Sequence, residues 1–125
     1  MSFKKDLNTI FKKYKKKKAL VDIYSGREVT YQELSVRIKK IKKFLILNKI
    51  KKEDEVGSVL ENSCENFEFF LASCKMGLKY FPQSCEITKY EIKKLLNETN
   101  IKSFFISETT NSKIVNYLKK KKSRL

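Results

Sequence analysis

Val29-Thr30-Tyr31-Gln32-Glu33-Leu34 spells the start of a helix. Thr30 is a good N-cap, and Glu33 three residues later completes a capping box. Val29 before the cap and Leu34 after it are spaced for a hydrophobic staple. From there Leu34, Ile38, Ile41 and Leu45 recur as one apolar stripe, with Lys39, Lys40, Lys42 and Lys43 mostly off it. That spacing predicts a half-buried helix ending near Asn48, with a solvated basic side. Thr88 and Glu91 repeat the pattern: Ile87 can staple to Ile92, and a helix is expected through Leu95 and Leu96 to about Thr99. Between these two, Asn62 or Ser63 caps a helix over about 64–76, and Gly77 stands where a C-cap needs a left-handed residue.

Strand signals alternate with these helices. Ala19–Tyr24 reads as a strand, Ser25-Gly26 as a turn and Glu28–Thr30 as a short returning strand. Val56–Leu60 follows the acidic turn Glu53-Asp54-Glu55, Tyr80-Phe81-Pro82 reads as a short extended segment, and Phe104-Phe105-Ile106 as another strand. In the middle helix Phe67, Phe69, Phe70, Leu71, Ala72 and Cys74 put apolar residues on more than one side, the pattern of a helix held between layers. Residues 3–18 read as an amphipathic helix on Phe3, Leu7, Ile10, Phe11 and Tyr14, running out into Lys15–Lys18. A last helix is expected over about 111–119. The alternation predicts an α/β fold of three-layer type with a small, largely parallel sheet.

The net charge of +15 is unevenly placed. Residues 1–18 carry eight Lys and one Asp, residues 109–125 five Lys and one Arg with no acid, and residues 19–108 fifteen basic and thirteen acidic residues. The expected organisation is therefore a basic N-terminal helix or tail (1–18), an α/β segment (19–108) and a basic C-terminal helix or tail (109–125). Lys outnumbers Arg 26 to 3. Phosphate and base recognition leans on Arg forks, so this balance weighs against a nucleic-acid partner. The apolar runs are far short of the ~18 residues of a membrane span. With no secretory signal pattern at the N-terminus, a cytoplasmic protein is the default expectation.

No catalytic, cofactor-binding or metal-ligating set is expected. There is no His, so the commonest general base is absent. Cys64, Cys74 and Cys85 lack the close pairing of zinc ligands and read as free thiols filling space. Gly26, Gly57 and Gly77 are isolated, so no phosphate-cradling loop is seen. Ser107-Glu108-Thr109-Thr110-Asn111-Ser112-Lys113 has hydroxyls and a lysine but no glycine, and reads as a capped loop before a helix. Among the acids Glu53, Asp54, Glu55, Glu61, Glu65 and Glu68, the last three share a helical face near a cap. They are expected to favour the helix N-terminus through its dipole rather than bind metal. Tyr31, Tyr80 and Phe81 could stack on bases but stand at helix-start and strand positions typical of core aromatics.

The order and spacing of Ala19-Leu20-Val21-Asp22, Thr30-Tyr31-Gln32-Glu33-Leu34, Glu53-Asp54-Glu55-Val56, Glu61-Asn62-Ser63, Ala72 to Gly77, Pro82 and Ile106-Ser107 resemble the opening segment of AMP-forming ligases, the acyl-CoA synthetases and their adenylation-domain relatives. The resemblance covers about residues 19–108. It departs at Glu53, where the family usually has Gly, at Glu61, where it usually has Pro, and at Gln83-Ser84-Cys85 after Pro82. It implies a carboxylate ligase that in intact form uses ATP and Mg2+ and passes its acyl group to CoA or a carrier thiol. The family's Gly/Ser/Thr-rich ATP loop, magnesium-site acid and late catalytic lysine lie beyond the matching segment. The expectation is thus an N-terminal fragment, not catalytic alone, whose partner is the remainder of a ligase or a carrier protein. The alternatives are a small basic module binding nucleic acid or an acidic protein through its ends, and a helper that docks to a ligase or carrier.

Overall fold

A computed structural model describes residues 2–122. Its elements are α1 (Phe3–Lys13), β1 (Lys18–Val21), β2 (Glu28–Thr30), α2 (Tyr31–Leu47), β3 (Glu55–Val59), α3 (Cys64–Met76), β4 (Lys79–Gln83), α4 (Lys89–Glu98), β5 (Ser103–Ile106) and α5 (Ser112–Lys122). The fold is α/β with a small parallel sheet. The chain divides into two compact units: residues up to Lys52 with Asn62–Leu78, and Glu53–Glu61 with the residues from Lys79 onward.

The first unit packs α1, α2 and α3 with the antiparallel hairpin β1–β2. Its core is Leu7, Phe11, Val29, Leu34, Ile38, Cys64, Leu71 and Ala72. The Thr30 capping box forms in both directions, Glu33 N–H to Thr30 Oγ1 at 3.2 Å and Thr30 N–H to Glu33 Oε2 at 2.9 Å. Val29 and Leu34 are buried together, as a staple requires. α1 stops at Lys13, earlier than its apolar spacing suggests. The Lys15–Lys18 side chains are solvated, as expected, but their backbone is not idle: the Lys15 and Lys17 carbonyls accept from the N–H groups of Gln32 and Tyr31, and Lys18 opens β1. β1 likewise ends at Val21 rather than Tyr24. Asp22 takes over there, its Oδ1 accepting from Tyr24 N–H (2.9 Å) and Ser25 N–H (3.2 Å), which turns the chain toward Gly26 at φ +74°.

The second unit holds the three-stranded sheet, in order β4-β3-β5, all parallel. β3 is central and buried along most of its length. Gly57 lies opposite Phe104 of β5, and a Cβ at Gly57 would sit 2.4 Å from the Phe104 ring. The absence of a side chain at Gly57 is thus what lets that ring lie across the strand. Pro82 is in β4, an edge strand, where a missing N–H is tolerated. α4 carries the second complete capping box, Thr88 with Glu91. Val59, Ile87, Ile92 and Ile114 form the core, with Leu96, Phe104, Tyr117 and Leu118 against it.

α3 is capped by Ser63 and closed by Gly77 at φ +70°. Its faces differ from the expectation. Leu71, Ala72 and Ser73 are buried, whereas Phe67 and Phe70 are over 40% exposed, their rings tilted at 40° with centroids 6.0 Å apart. The deeply buried position between them is Glu68.

Candidate functional site

Glu68 is the centre of the most concentrated chemistry in the first unit. Its side chain is 2% exposed, and its Oε1 accepts from Arg37 Nε at 2.5 Å, with Arg27 Nη2 at 3.6 Å. Glu65, one turn earlier, pairs with Arg27 Nη1 and lies 3.9 Å from Arg37 Nη2. The sequence therefore brings two cations, from the hairpin and from α2, onto two acids of α3. Glu65 does stand in the first turn of α3, as the helix-dipole reading expects, whereas Glu68 is buried and serves as an ion-pair partner. A carboxylate this deep needs charged partners, and two guanidiniums supply them. Burial pushes the Glu65 carboxyl up, but its own backbone N–H, Arg27 and Arg37 outweigh that and hold it below the ordinary value of 4.5. Arg37 is raised, chiefly by its hydrogen bond to Glu68.

A groove of about 490 Å³ lies beside this cluster, between Arg27, Glu28, Gln32, Glu33 and Arg37. Its charges are already engaged: both arginines on α3, Glu28 with Lys18 at 2.9 Å and Glu33 in the capping box. These pairings join the hairpin, α2 and α3 beside the groove.

The other sequence candidates have structural roles. Cys64, Cys74 and Cys85 are free, and burial pushes all three thiols above their usual value, which keeps them protonated and weakly nucleophilic. The Ser107–Lys113 loop closes on itself: Ser107 N–H donates to Thr110 Oγ1 (3.0 Å), Ser107 and Thr109 hydroxyls meet at 2.9 Å, and Thr110 donates to the Val59 carbonyl at 3.0 Å. Asn111 Oδ1 accepts from Lys113 N–H at the start of α5. Among the described residues no group of acids, thiols or imidazoles is placed to hold a metal ion. Glu55 instead accepts from Asn100 N–H at 3.2 Å. Tyr31 packs against the rings of Phe11 and Tyr14. Tyr80 donates to Ser58 Oγ at 2.7 Å, and burial raises its phenol. Phe81 is half-buried in β4.

A second cluster was not foreseen from the sequence. Lys75 of α3 reaches across to α1, its Nζ donating to Asn8 Oδ1 at 2.9 Å and standing 5.7 Å from the Phe11 ring centroid. Burial holds its ammonium below the usual value, and Lys42, Lys4 and Lys39 push the same way. A lysine in the last turn of a helix is an ordinary dipole partner and gives no sequence signal of such company. Only the packing of three helices brings these four together.

Along the chain, capped helices alternate with the strands of a short parallel sheet, and the polar side chains described above are bound within the fold. The chain belongs to the AMP-binding enzyme family, whose model matches residues 7–125. Its fold resembles that of the luciferase-like enzyme from the nonluminescent mealworm Zophobas morio, with a TM-score of 0.84 at 22% identity over 98% of this chain and 29% of that one. It also resembles the Klebsiella oxytoca NpsA N-terminal subdomain in complex with anthranilyl-AMSN (TM-score 0.79, 22% identity, 86% of this chain and 28% of that one). An artificially fused NpsA-ThdA adenylation-PCP di-domain from the same organism matches at TM-score 0.80 and 23% identity, over 87% of this chain and 20% of that one. The chain thus spans less than a third of the length of each. No match was found among curated proteins. Among the described residues no helix is long and apolar enough to cross a membrane.

Proposed function

We propose that these residues form the opening part of a carboxylate-activating, adenylate-forming ligase, of the acyl-CoA synthetase or amino-acid adenylation type, and serve it as scaffold rather than as catalyst. The observation that carries this reading is the family match over residues 7–125 joined to the short share, 28%, of an NpsA subdomain seen with an adenylate analogue. Adenylyl transfer depends on positioned charges and a metal around the phosphates. The residues present do not fit those groups: Gly26, Gly57 and Gly77 stand apart, and the hydroxyls of residues 107–110 are turned onto each other and onto Val59. ATP, Mg2+ and the accepting thiol, of CoA or of a carrier protein, therefore belong to other parts of the enzyme. The di-domain neighbour supports a carrier as partner. Reliance on ATP and CoA or a carrier supports a cytoplasmic setting.

Carboxylate-dependent ATP–pyrophosphate exchange tests this. The purified 125-residue chain is expected to give none with aryl, acyl or amino acids. Antibodies to it are expected to recover, from its native source, exchange activity on a longer polypeptide or on a companion chain. Exchange by the 125 residues alone would overturn the proposal, as would recovery of the segment with no exchange activity accompanying it.

A further inference from the structure

The first unit carries eighteen basic and six acidic residues, a net +12, and the second eleven and eight, a net +3. The acids of the first unit are nearly all committed. Asp22 holds the hairpin turn, Glu28 pairs with Lys18, Glu33 closes a capping box, and Glu65 and Glu68 hold the two arginines. The sixth, Asp6, lies about half a turn around α1 from Lys4 and Asn8. The lysines gathered around Lys75 thus have no acid among them, and Lys75 is itself drawn into the surface by Asn8 and the Phe11 ring. A shallow trough of about 340 Å³ continues the basic surface along α1, past Lys4, Lys5, Asn8, Thr9 and Lys12.

We propose that the face of the first unit bearing Lys4, Lys39, Lys42 and Lys75 is a docking surface for an acidic protein. An uncompensated concentration of ammonium groups from three packed helices is a fixed positive field, and such fields select partners of opposite sign and speed their encounter. The chemistry of the patch favours protein over the other polyanions. Both described arginines are tied to α3, so no guanidinium fork is free for phosphate or base edges. The aromatic ring at the patch, Phe11, is buried beneath Lys75 and presents no face for base stacking. The exposed apolar residues of α1 that could enter a lipid surface, Phe3 and Ile10, lie about 130° around the helix from Lys4 and Asn8, on the side of Asp6. This inference goes beyond the proposed activity and stands apart from it.

The test uses the full chain and a fluorescein-labelled poly-glutamate peptide, followed by anisotropy. A variant with K4Q, K39Q, K42Q and K75Q is compared with a control of equal charge, K93Q, K94Q, K102Q and K113Q in the second unit. The patch variant is expected to bind at least ~10-fold more weakly than wild type and the control within ~2-fold, with affinity falling as salt rises from about 50 to about 200 mM. Equal losses in both variants, or none in the patch variant, would overturn the proposal. So would tighter binding of oligouridylate of matched charge, or of phosphatidylserine vesicles, than of the peptide. Lysine acetylation footprinting of the wild-type chain keeps the test decisive if the patch variant misfolds. The peptide must protect Lys4, Lys39, Lys42 and Lys75 and leave Lys93 and Lys94 reactive, and the reverse pattern refutes it. None of these readouts involves pyrophosphate exchange, so failure here and failure of the ligase reading are told apart.

Discussion

The two units solve the same problem by different means. Each wraps a small apolar core with helices that begin in a complete capping box, Thr30 with Glu33 in one and Thr88 with Glu91 in the other. The first then ties its hairpin and two of its helices together with charge, through Glu65 and Glu68 and the two arginines. The second relies on steric fit, with the Phe104 ring lying where any Gly57 side chain would be. One joint is thus vulnerable to loss of a partner and to acid, the other to the gain of a single carbon.

The largest expected effect is at the charged joint. Arg37→Ala removes the closest cation from Glu68 and leaves a nearly inaccessible carboxylate with Arg27 at 3.6 Å. Stranding a buried charge in this way costs about 3 kcal/mol. Urea denaturation is the measurement, and a cost below about 1 kcal/mol would show that Arg27 alone suffices as partner for Glu68. The joint also sets an acid limb. The Glu65 carboxyl is held below its ordinary value in the folded state. Its contribution is therefore fully present above the unfolded value near 4.5 and is lost as pH falls through the lower folded value. Thermal midpoints should be flat from about pH 7 to 5 and fall below that, and Glu65→Gln should flatten the fall.

Gly57→Ala is the matching attack on the second unit. A Cβ 2.4 Å from the Phe104 ring forces that ring or the strand to move, with an expected cost of about 2 kcal/mol. Phe104→Leu in the same chain should recover part of it, because the flat ring that the new methyl meets is gone. Failure of that rescue would mean that Gly57 is needed for its backbone rather than for the space above it. Below these come the caps. Thr30→Ala and Thr88→Ala should each cost about 1 kcal/mol, since both boxes share the two backbone bonds, although the Thr88 hydroxyl also donates to Glu91 Oε2 at 3.1 Å. Unequal costs would show that one unit leans more heavily on its first helical turn.

These contrasts also separate what was legible in the sequence from what was not. The three helices begun by Thr30, Ser63 and Thr88 could be placed because capping is local, its signal held within four residues. The parallel sheet followed from the alternation of elements. The ends of α1 and β1 were misjudged because backbone groups decided them: Lys15 and Lys17 carbonyls bonding to the start of α2, and Asp22 claiming the turn. Glu68 was misjudged for a related reason. Its partners lie 31 and 41 positions earlier, and no periodicity within α3 distinguishes it from the exposed Phe67. The lysine patch was hidden in the same way, since the charges of Lys4, Lys39 and Lys42 reach Lys75 only when three helices pack. The resemblance to AMP-forming ligases carried further than any single site because it rests on the order of local signals.

The smallest expected effect turns on one of the departures from that family. Glu53, where the family usually has glycine, lies at the start of the second unit with φ +74°, in the left-handed region that L-residues enter at a cost of roughly 1–2 kcal/mol. The backbone at Glu53 is thus one that favours glycine. Glu53→Gly should remove the strain but add about 0.5–1 kcal/mol of chain entropy to be lost on folding, which leaves a net stabilisation of about 0.5–1 kcal/mol. Lys49, at φ +63° beyond the end of α2, offers the same substitution in the first unit. If both glycines stabilise, relaxed turns are a general property of this chain. If Glu53→Gly destabilises instead, its side chain holds the acidic turn into β3 through contacts worth more than the strain, and the departure from the family pattern is a substitution the fold has absorbed.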